Sequence, residues 1–272
     1  MLTDINLITP ILVLLAFFTS ALSAVTAVGG GMLFISVLTL FLPIQVVIPV
    51  HAVTQLASNC SRAAFSPASI VWPITIPFVT GVILGIPGAL NTYQKYQVQF
   101  SALPLGIFVL LMVWLPPQKI WLRLTGNKNK GTVLSSRDSR GADEHGYFKN
   151  KLGWLGFGAL GFIQTFLTLF VGSSAPVNLP FLLRLQLTRD QLVITSATMM
   201  TAVSAIKILI FIAAGFGFAA YSGLISGLVV AMLCGSWAGT RMRHHVPEYA
   251  FKRILKLILT VLSLRLVILA CI

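Results

Sequence analysis

Three consecutive glycines, Gly29, Gly30 and Gly31, interrupt an apolar run long enough to lie in a bilayer, and a related break, Gly172-Ser173-Ser174, recurs in the second half of the chain. Each break releases backbone N–H groups at the start of a short apolar stretch. Hydrocarbon offers such groups no partner, so irregular backbone at membrane depth is tolerated only where it is buried in protein or lines a wet cavity. Interrupted helices at corresponding positions of two halves point to the substrate site of a membrane carrier.

Composition supports the membrane reading. Of 272 residues 57% are hydrophobic and 9% charged, against about 25% charged in soluble domains. The net charge of +13 does not indicate nucleic acid, because the cations sit between apolar segments rather than on a water-soluble surface. The segment before Thr9 carries Asp4 and no Lys or Arg, unlike the basic start of a cleaved signal peptide. Cys60, Cys234 and Cys271 are scattered without metal-ligand spacing and read as packing residues; no metal or cofactor is implied.

About 20 apolar residues cross the hydrocarbon core. Ten candidate segments run near 8–28, 32–46, 47–65, 70–92, 98–116, 152–171, 175–187, 190–214, 218–240 and 250–271, an all-α polytopic pattern. Segments 2 and 7 are short and follow the breaks; each either spans or re-enters. Short cytoplasmic loops accumulate Lys and Arg. Fifteen of the nineteen cations flank one side if every segment crosses: Lys119, Arg123, Lys128, Lys130, Arg137, Arg140, Lys149 and Lys151, then Arg184 and Arg189, then Arg241, Arg243, Lys252, Arg253 and Lys256. Lys95 falls opposite. Both termini are then non-cytoplasmic, and the expected location is a plasma membrane, a bacterial inner membrane.

Five crossings per half is an odd number, so similar halves must be inverted. The expected division is a first repeat at 1–117, a cytoplasmic basic connector at 118–151 and a second repeat at 152–272. Internal similarity is weak but ordered: Leu38 and Leu40 correspond to Phe181 and Leu183, Ala52 and Arg62 to Ala197 and Lys207, and Val98-Gln-Phe100 to Tyr249-Ala-Phe251. The connector, rich in Gly, Ser, Asn and charge, reads as a mobile link.

No Asp or Glu lies well inside an apolar segment, whereas Arg62, Lys207 and Arg265 do. A central charge costs at least about 2.5–3.5 kcal/mol on insertion scales, so it faces a partner or a wet cavity. Without local carboxylates, the natural partner is an anion from outside. On segment 3, His51, Gln55, Ser58 or Asn59, and Arg62 recur at helical spacing along one face. On segment 8, Thr195, Thr198, Thr201, Ser204 and Lys207 add hydroxyls and a cation. Donor-rich linings suit an oxyanion.

Plainer readings stay open for each. Arg62 and Arg265 can snorkel to headgroups; hydroxyls can join helices; His51 can meet carbonyls freed by Pro49; and glycines permit close packing. Three glycines exceed what packing needs, however, and the following helix aims its positive end at the break. In the second half, Ser173 and Ser174 can cap a helix and Pro176 fits its first turn. Candidate substrate-binding residues are therefore Gly29, Gly30, Gly31, His51, Gln55, Asn59, Arg62, Gly172, Ser173, Ser174, Thr198 and Lys207. His51 is also the candidate for proton coupling.

The Gly29-Gly30-Gly31 break with Leu33 to Leu42 after it, the Ala52 to Arg62 helix, and Gly235-Ser-Trp-Ala-Gly239-Thr-Arg241 with Pro247 and Phe251-Lys-Arg-Ile254 carry a resemblance. Through them the sequence resembles the sulfite exporter TauE/SafE family of membrane transporters over nearly its whole length. The resemblance implies a secondary transporter of small sulfur-containing or organic anions, with sulfite export as the name-giving activity. The chain departs from the usual pattern in the serines of its second break and in its long basic connector.

The expectation is export of sulfite or a related small sulfur-containing anion by alternating access, with the lipid bilayer and the anion as partners and no nucleic acid. Transport of another small organic anion such as sulfoacetate or a carboxylate, uptake instead of export, and a membrane subunit acting through a partner stay open. Oligomeric state is not readable. An intramembrane enzyme is disfavoured, since no metal cluster, paired carboxylates or nucleophile with its base stands at a recognisable spacing.

Overall fold

A computed structural model describes residues 2–26, 29–96, 102–114, 151–183, 185, 187–243, 257, 259–265 and 267–268. The connector expected at 118–151, apart from Lys151, lies outside the described residues, as do Arg184, Lys252, Arg253, Lys256, Cys271 and the Val98 and Tyr249 stretches.

Among the described residues every regular element is helical. The α-helices are α1 (Leu2–Thr26), α2 (Gly30–Leu38), α3 (Ile44–Phe65), α4 (Trp72–Tyr96), α5 (Ala102–Trp114), α6 (Lys151–Val171), α7 (Leu179–Leu183), α8 (Arg189–Ala213) and α9 (Ser222–Met242). Residues 259–265 are helical as well. Among the described residues five stretches are long and apolar enough to cross a membrane: Ile8–Thr26, Trp72–Lys95, Gly153–Val171, Arg189–Ala213 and Phe218–Met242. They expose Leu84, Leu155, Ile163, Val230 and other large apolar side chains outward, as lipid-facing helices do. Cys60 and Cys234 are exposed too, and so are not the packing residues expected.

Segments 2 and 7 are shorter than their apolar runs suggest. The helix of α2 stops at Leu38, followed by a turn in which Leu40 N–H bonds Val37 O at 2.9 Å, and Pro43 then starts α3. Nine residues at about 1.5 Å per residue reach less than half of a core about 30 Å thick. The second break leads into a 3₁₀ turn, Ala175–Val177, and the five residues of α7. Neither helix crosses a bilayer by itself.

Glycine sets how the long helices pair. On α9, a side chain at Gly235 would collide with the Phe17 carbonyl of α1, and one at Gly239 with that of Ala21. On α4, one at Gly81 would strike the Gly158 carbonyl of α6, and Gly161 of α6 meets the Phe78 carbonyl. Small residues four apart let backbones approach this closely inside a membrane. Residue numbers rise together from Gly235–Phe17 to Gly239–Ala21 and from Gly81–Gly158 through Gly85–Thr165 to Gly88–Phe166, so α1 runs parallel to α9 and α4 parallel to α6. Between the pairs lie α3, packed on α8 and α9, and α8, packed on α3 and α4.

Hydroxyls tie the seams. Ser20 of α1 donates to Met232 O at 2.7 Å and shares a 2.8 Å hydrogen bond with Ser58 of α3, while Thr195 of α8 accepts from Val71 N–H at 3.1 Å.

Three arginines define one end of the bundle. The last carbonyls of a helix lack intrahelical donors, and in α1 those of Ser23, Ala24 and Val25 receive Arg62 Nη1 (2.9 Å), Arg243 Nε (2.8 Å) and Arg189 Nη2 (3.0 Å). Arg62 is in the last turn of α3, Arg243 follows α9, and Arg189 begins α8. Thus α1, α3 and α9 end where α8 starts, and α3 and α8 run antiparallel.

Candidate functional site

The two breaks meet between α3 and α8. Gly29 has φ 108 and Gly172 has φ 74, backbone that glycine adopts and side-chain-bearing residues resist. A β-carbon on Gly31 would lie 3.1 Å from Gln55 Oε1 and 3.6 Å from Ser173 Oγ, so the breaks face one another across the α3 stripe. Around them is a cavity lined by Ser23 of α1, Thr168 of α6, both breaks, and the inner faces of α3 and α8. The centre of a water molecule has ≈ 30 Å³ of room there, and one water needs about 10–15 Å³ on that measure. The space suits a few waters or one small anion.

Ten of the twelve candidate residues line this cavity: Gly29, Gly31, His51, Gln55, Asn59, Arg62, Gly172, Ser173, Ser174 and Lys207. Gly30 does not, because it is pressed against the Thr19 carbonyl and Ser23 hydroxyl of α1. Thr198 does not either; its hydroxyl donates to Ile194 O at 2.9 Å.

The α3 stripe is buried throughout. His51 Nε2 donates to Gly31 O at 3.0 Å and the ring stacks on Phe34. A carbonyl can only accept, so Nε2 carries a proton; Nδ1 is buried without a partner. The imidazole thus braces the first break rather than the carbonyls freed by Pro49. Arg62, 3% exposed, does not reach headgroups: besides Ser23 O it donates to Ser58 O at 3.2 Å and to Asn59 Oδ1. Arg265, by contrast, is exposed.

The cavity face of α8 is Ser196, Met200, Ser204 and Lys207, with Ala197 and Val203 beside it. Its spacing of four, four and three repeats that of His51, Gln55, Asn59 and Arg62. Lys207, 2% exposed, donates from Nζ to Gly172 O at 2.7 Å. Since α3 and α8 are antiparallel, Arg62 and Lys207 stand toward opposite ends of the cavity. Among the described residues neither meets a carboxylate: every acceptor is neutral.

Ser174 does not cap a helix. Its hydroxyl turns to Gln164 Oε1 of α6 at 3.4 Å, and Gln164 Nε2 donates to Ser174 O at 3.4 Å and to Asn178 Oδ1. A side-chain strut therefore sets the second break where helical geometry sets the first. The positive end of a helix dipole belongs to α2, whose N-cap Gly29 supplies no side-chain hydrogen bond and whose first-turn residues Gly31 and Met32 line the cavity. The five residues of α7 are too few to carry it.

Sequence reasoning passed over Ser23, Thr168, Ser196 and Gln164. For Ser196 a signal existed, since laying Ala52 on Ala197 sets it opposite His51.

A model of the family described as Sulfite exporter TauE/SafE matches residues 12–266. No curated protein and no solved structure matches the chain.

Proposed function

We propose that this chain, which belongs to the sulfite exporter TauE/SafE family, carries sulfite or a related small sulfur-containing anion out of the cell by alternating access at the cavity between its two helix breaks. The observation that carries this reading is the burial of Arg62 and Lys207 in one cavity with, among the described residues, neutral acceptors alone. Two buried cations cost several kcal/mol each unless something compensates them. A dianion seated between them does so, and the hydroxyls of Ser23, Thr168, Ser173 and Ser196 and the amides of Gln55 and Asn59 supply hydrogen bonds to its oxygens.

The wider architecture of this reading is ten segments in two inverted repeats, 1–117 and 152–272, joined by a cytoplasmic connector at 118–151, with both termini outside a bacterial inner membrane. The helix pairing supports it. Advancing every helix by five turns the α1–α9 contact into the α6–α4 contact and the α3–α9 contact into the α8–α4 contact, while α3–α8 maps on itself. Each outer pair joins the two halves through glycines four apart, Gly81 and Gly85 on α4 and Gly235 and Gly239 on α9. The half-length α2 and α7 then each run from the centre to one face. Rocking of one half on the other exposes the cavity to either side in turn.

With the interior negative, an anion leaves downhill by about 2.3 kcal/mol per charge per 100 mV, so export needs no other ion. The test is flux of labelled sulfite in liposomes holding this chain alone, with sulfoacetate and small carboxylates as competitors. Sulfite flux above empty liposomes supports the proposal; liposomes that hold the chain yet pass neither sulfite nor the other anions remove it and leave the partner-dependent subunit reading.

A further inference from the structure

The arginines at the end of α1 do more than close that helix. Arg62 lines the cavity, and Arg243 binds the carbonyl next along the chain, Ala24 after Ser23. Donation to adjacent carbonyls of one helix sets the two guanidiniums beside each other, Arg62 inward and Arg243 toward the basic end. Arg243 is 1% exposed, and its Nη2 is buried without a hydrogen-bond partner among the described residues. Its Nη1 meets Asp190 Oδ1 at 2.6 Å. The two sides of that ion pair are unequal: the Arg243 side chain is 2% exposed and that of Asp190 is 42% exposed.

We propose that Arg243 is a second anion station between the cavity and the basic end, and that the Asp190 carboxylate occupies it as a tethered anion that a passing oxyanion displaces. This rests on the anion-transport reading of the cavity. An anion leaving Arg62 finds in Arg243 the next buried guanidinium, one that has a spare N–H and already holds a carboxylate. A carboxylate oxygen and a sulfite oxygen make the same charge-assisted contact with a guanidinium, so the exchange swaps like for like. Asp190 belongs to the first turn of α8 and Arg243 follows α9. While they are joined the end is shut across α1, α8 and α9; the anion that separates them opens its own way. Arg189, bound to Val25 O at 3.0 Å, and Arg241, stacked 4.5 Å over the Trp237 ring, carry the positive field from there to the surface.

An ion pair that merely staples helices predicts that losing either partner lowers both the thermal midpoint and the flux. A tethered competitor predicts opposite effects. Labelled sulfite flux is measured in right-side-out and inverted vesicles for the full chain and for Asp190→Asn, Arg243→Gln and the double variant, with thermal unfolding of each as a check on folding. Asp190→Asn is expected to lower KM at least threefold for sulfite presented at the basic end and to leave KM at the other end unchanged. Arg243→Gln is expected to lower flux at least tenfold, and the double variant to match it. Impaired flux in Asp190→Asn, or a KM unchanged at the basic end, overturns the second station while leaving the cavity reading intact. Absence of sulfite flux in the unmodified chain overturns both.

Discussion

Lys207 of α8 donates to the carbonyl oxygen of Gly172 at 2.7 Å, which joins the buried cation of one helix to the one residue whose left-handed backbone forms the second break. The ammonium keeps two more donors on the wall of a cavity that also holds Ser173 and Ser174. The break and the charge are therefore one device.

Lys207→Met keeps the length of the side chain and removes the charge. It relieves the folded protein of a buried cation, which offsets the about 1–3 kcal/mol lost when Gly172 O loses its donor, so the thermal midpoint is expected to stay near that of the unmodified chain. Sulfite flux is expected to fall at least tenfold, since about 1.4 kcal/mol of lost anion stabilisation accounts for that. Flux at the unmodified level, read in liposomes beside the midpoint, removes Lys207 from the site.

On α3, His51→Ala, Gln55→Ala and Arg62→Ala are each expected to impair transport while leaving folded protein in the membrane. Arg62→Ala takes the donor from Ser23 O, which costs stability of about 1–3 kcal/mol for the buried acceptor, so it is the variant with the lowest midpoint. Normal flux in all three would remove α3 from the pathway.

Gln164→Leu strips the strut from Ser174 and leaves the Asn178 amide buried with nothing to meet it. A loss of about 1–3 kcal/mol is expected, with a higher KM because the second break is no longer held. Stability and KM both unchanged would show that the break keeps its shape without α6.

How far the sequence reached follows from what leaves a trace in composition. A cation in hydrocarbon is rare enough to announce itself, which is why Arg62 and Lys207 were legible, and the His51, Gln55, Asn59 and Arg62 stripe stands out against an apolar helix. Thr168 was not, because a hydroxyl that hydrogen-bonds within its own helix looks the same as one lining a cavity; Ser196 was marked by the match of Ala52 to Ala197 alone. On α8 the spacing-three series from Thr195 drifts round the helix, so Thr198 and the cavity fall on different faces. Arg243 reads as a loop cation until its contact with Asp190 is seen, since the approach of α8 to the end of α9 has no local signature. The lengths of α2 and α7 were overestimated for a related reason: apolar residues continue past Leu38 into a turn, and hydropathy does not distinguish the two.

Glycine contacts give a prediction independent of transport. Gly235→Ala forces α9 off the Phe17 carbonyl of α1, and Gly81→Ala forces α4 off Gly158 of α6; overpacking of this kind costs about 1–3 kcal/mol. Gly223→Ala, where a β-carbon meets nothing within 4 Å, is expected to be neutral or slightly stabilising through helix propensity. Equal thermal midpoints for the three variants would mean that α1–α9 and α4–α6 do not pack as closely as described.

Charge movement provides the last prediction. If the cargo crosses as a bare anion, an imposed potential fixes its distribution at equilibrium. One net charge at 100 mV is about 2.3 kcal/mol, and with tenfold per about 1.4 kcal/mol the accumulation ratio is roughly fortyfold; two charges square that figure. Sulfite that leaves as hydrogen sulfite, or as a dianion accompanied by a proton, gives the one-charge ratio in either case. A pH gradient then leaves the ratio of hydrogen sulfite unchanged and shifts that of total sulfite by up to tenfold per unit, the full factor being reached where the dianion predominates on both sides. His51 is the imidazole beside the cavity that can hand over such a proton, so His51→Gln, which can keep a donor to Gly31 O, separates the cases. A one-charge ratio that survives in His51→Gln places the proton on the cargo, and a change to the two-charge ratio places it on the histidine. No dependence on potential in the unmodified chain would mean that a counter-ion travels with every anion, and uncoupled export would fail.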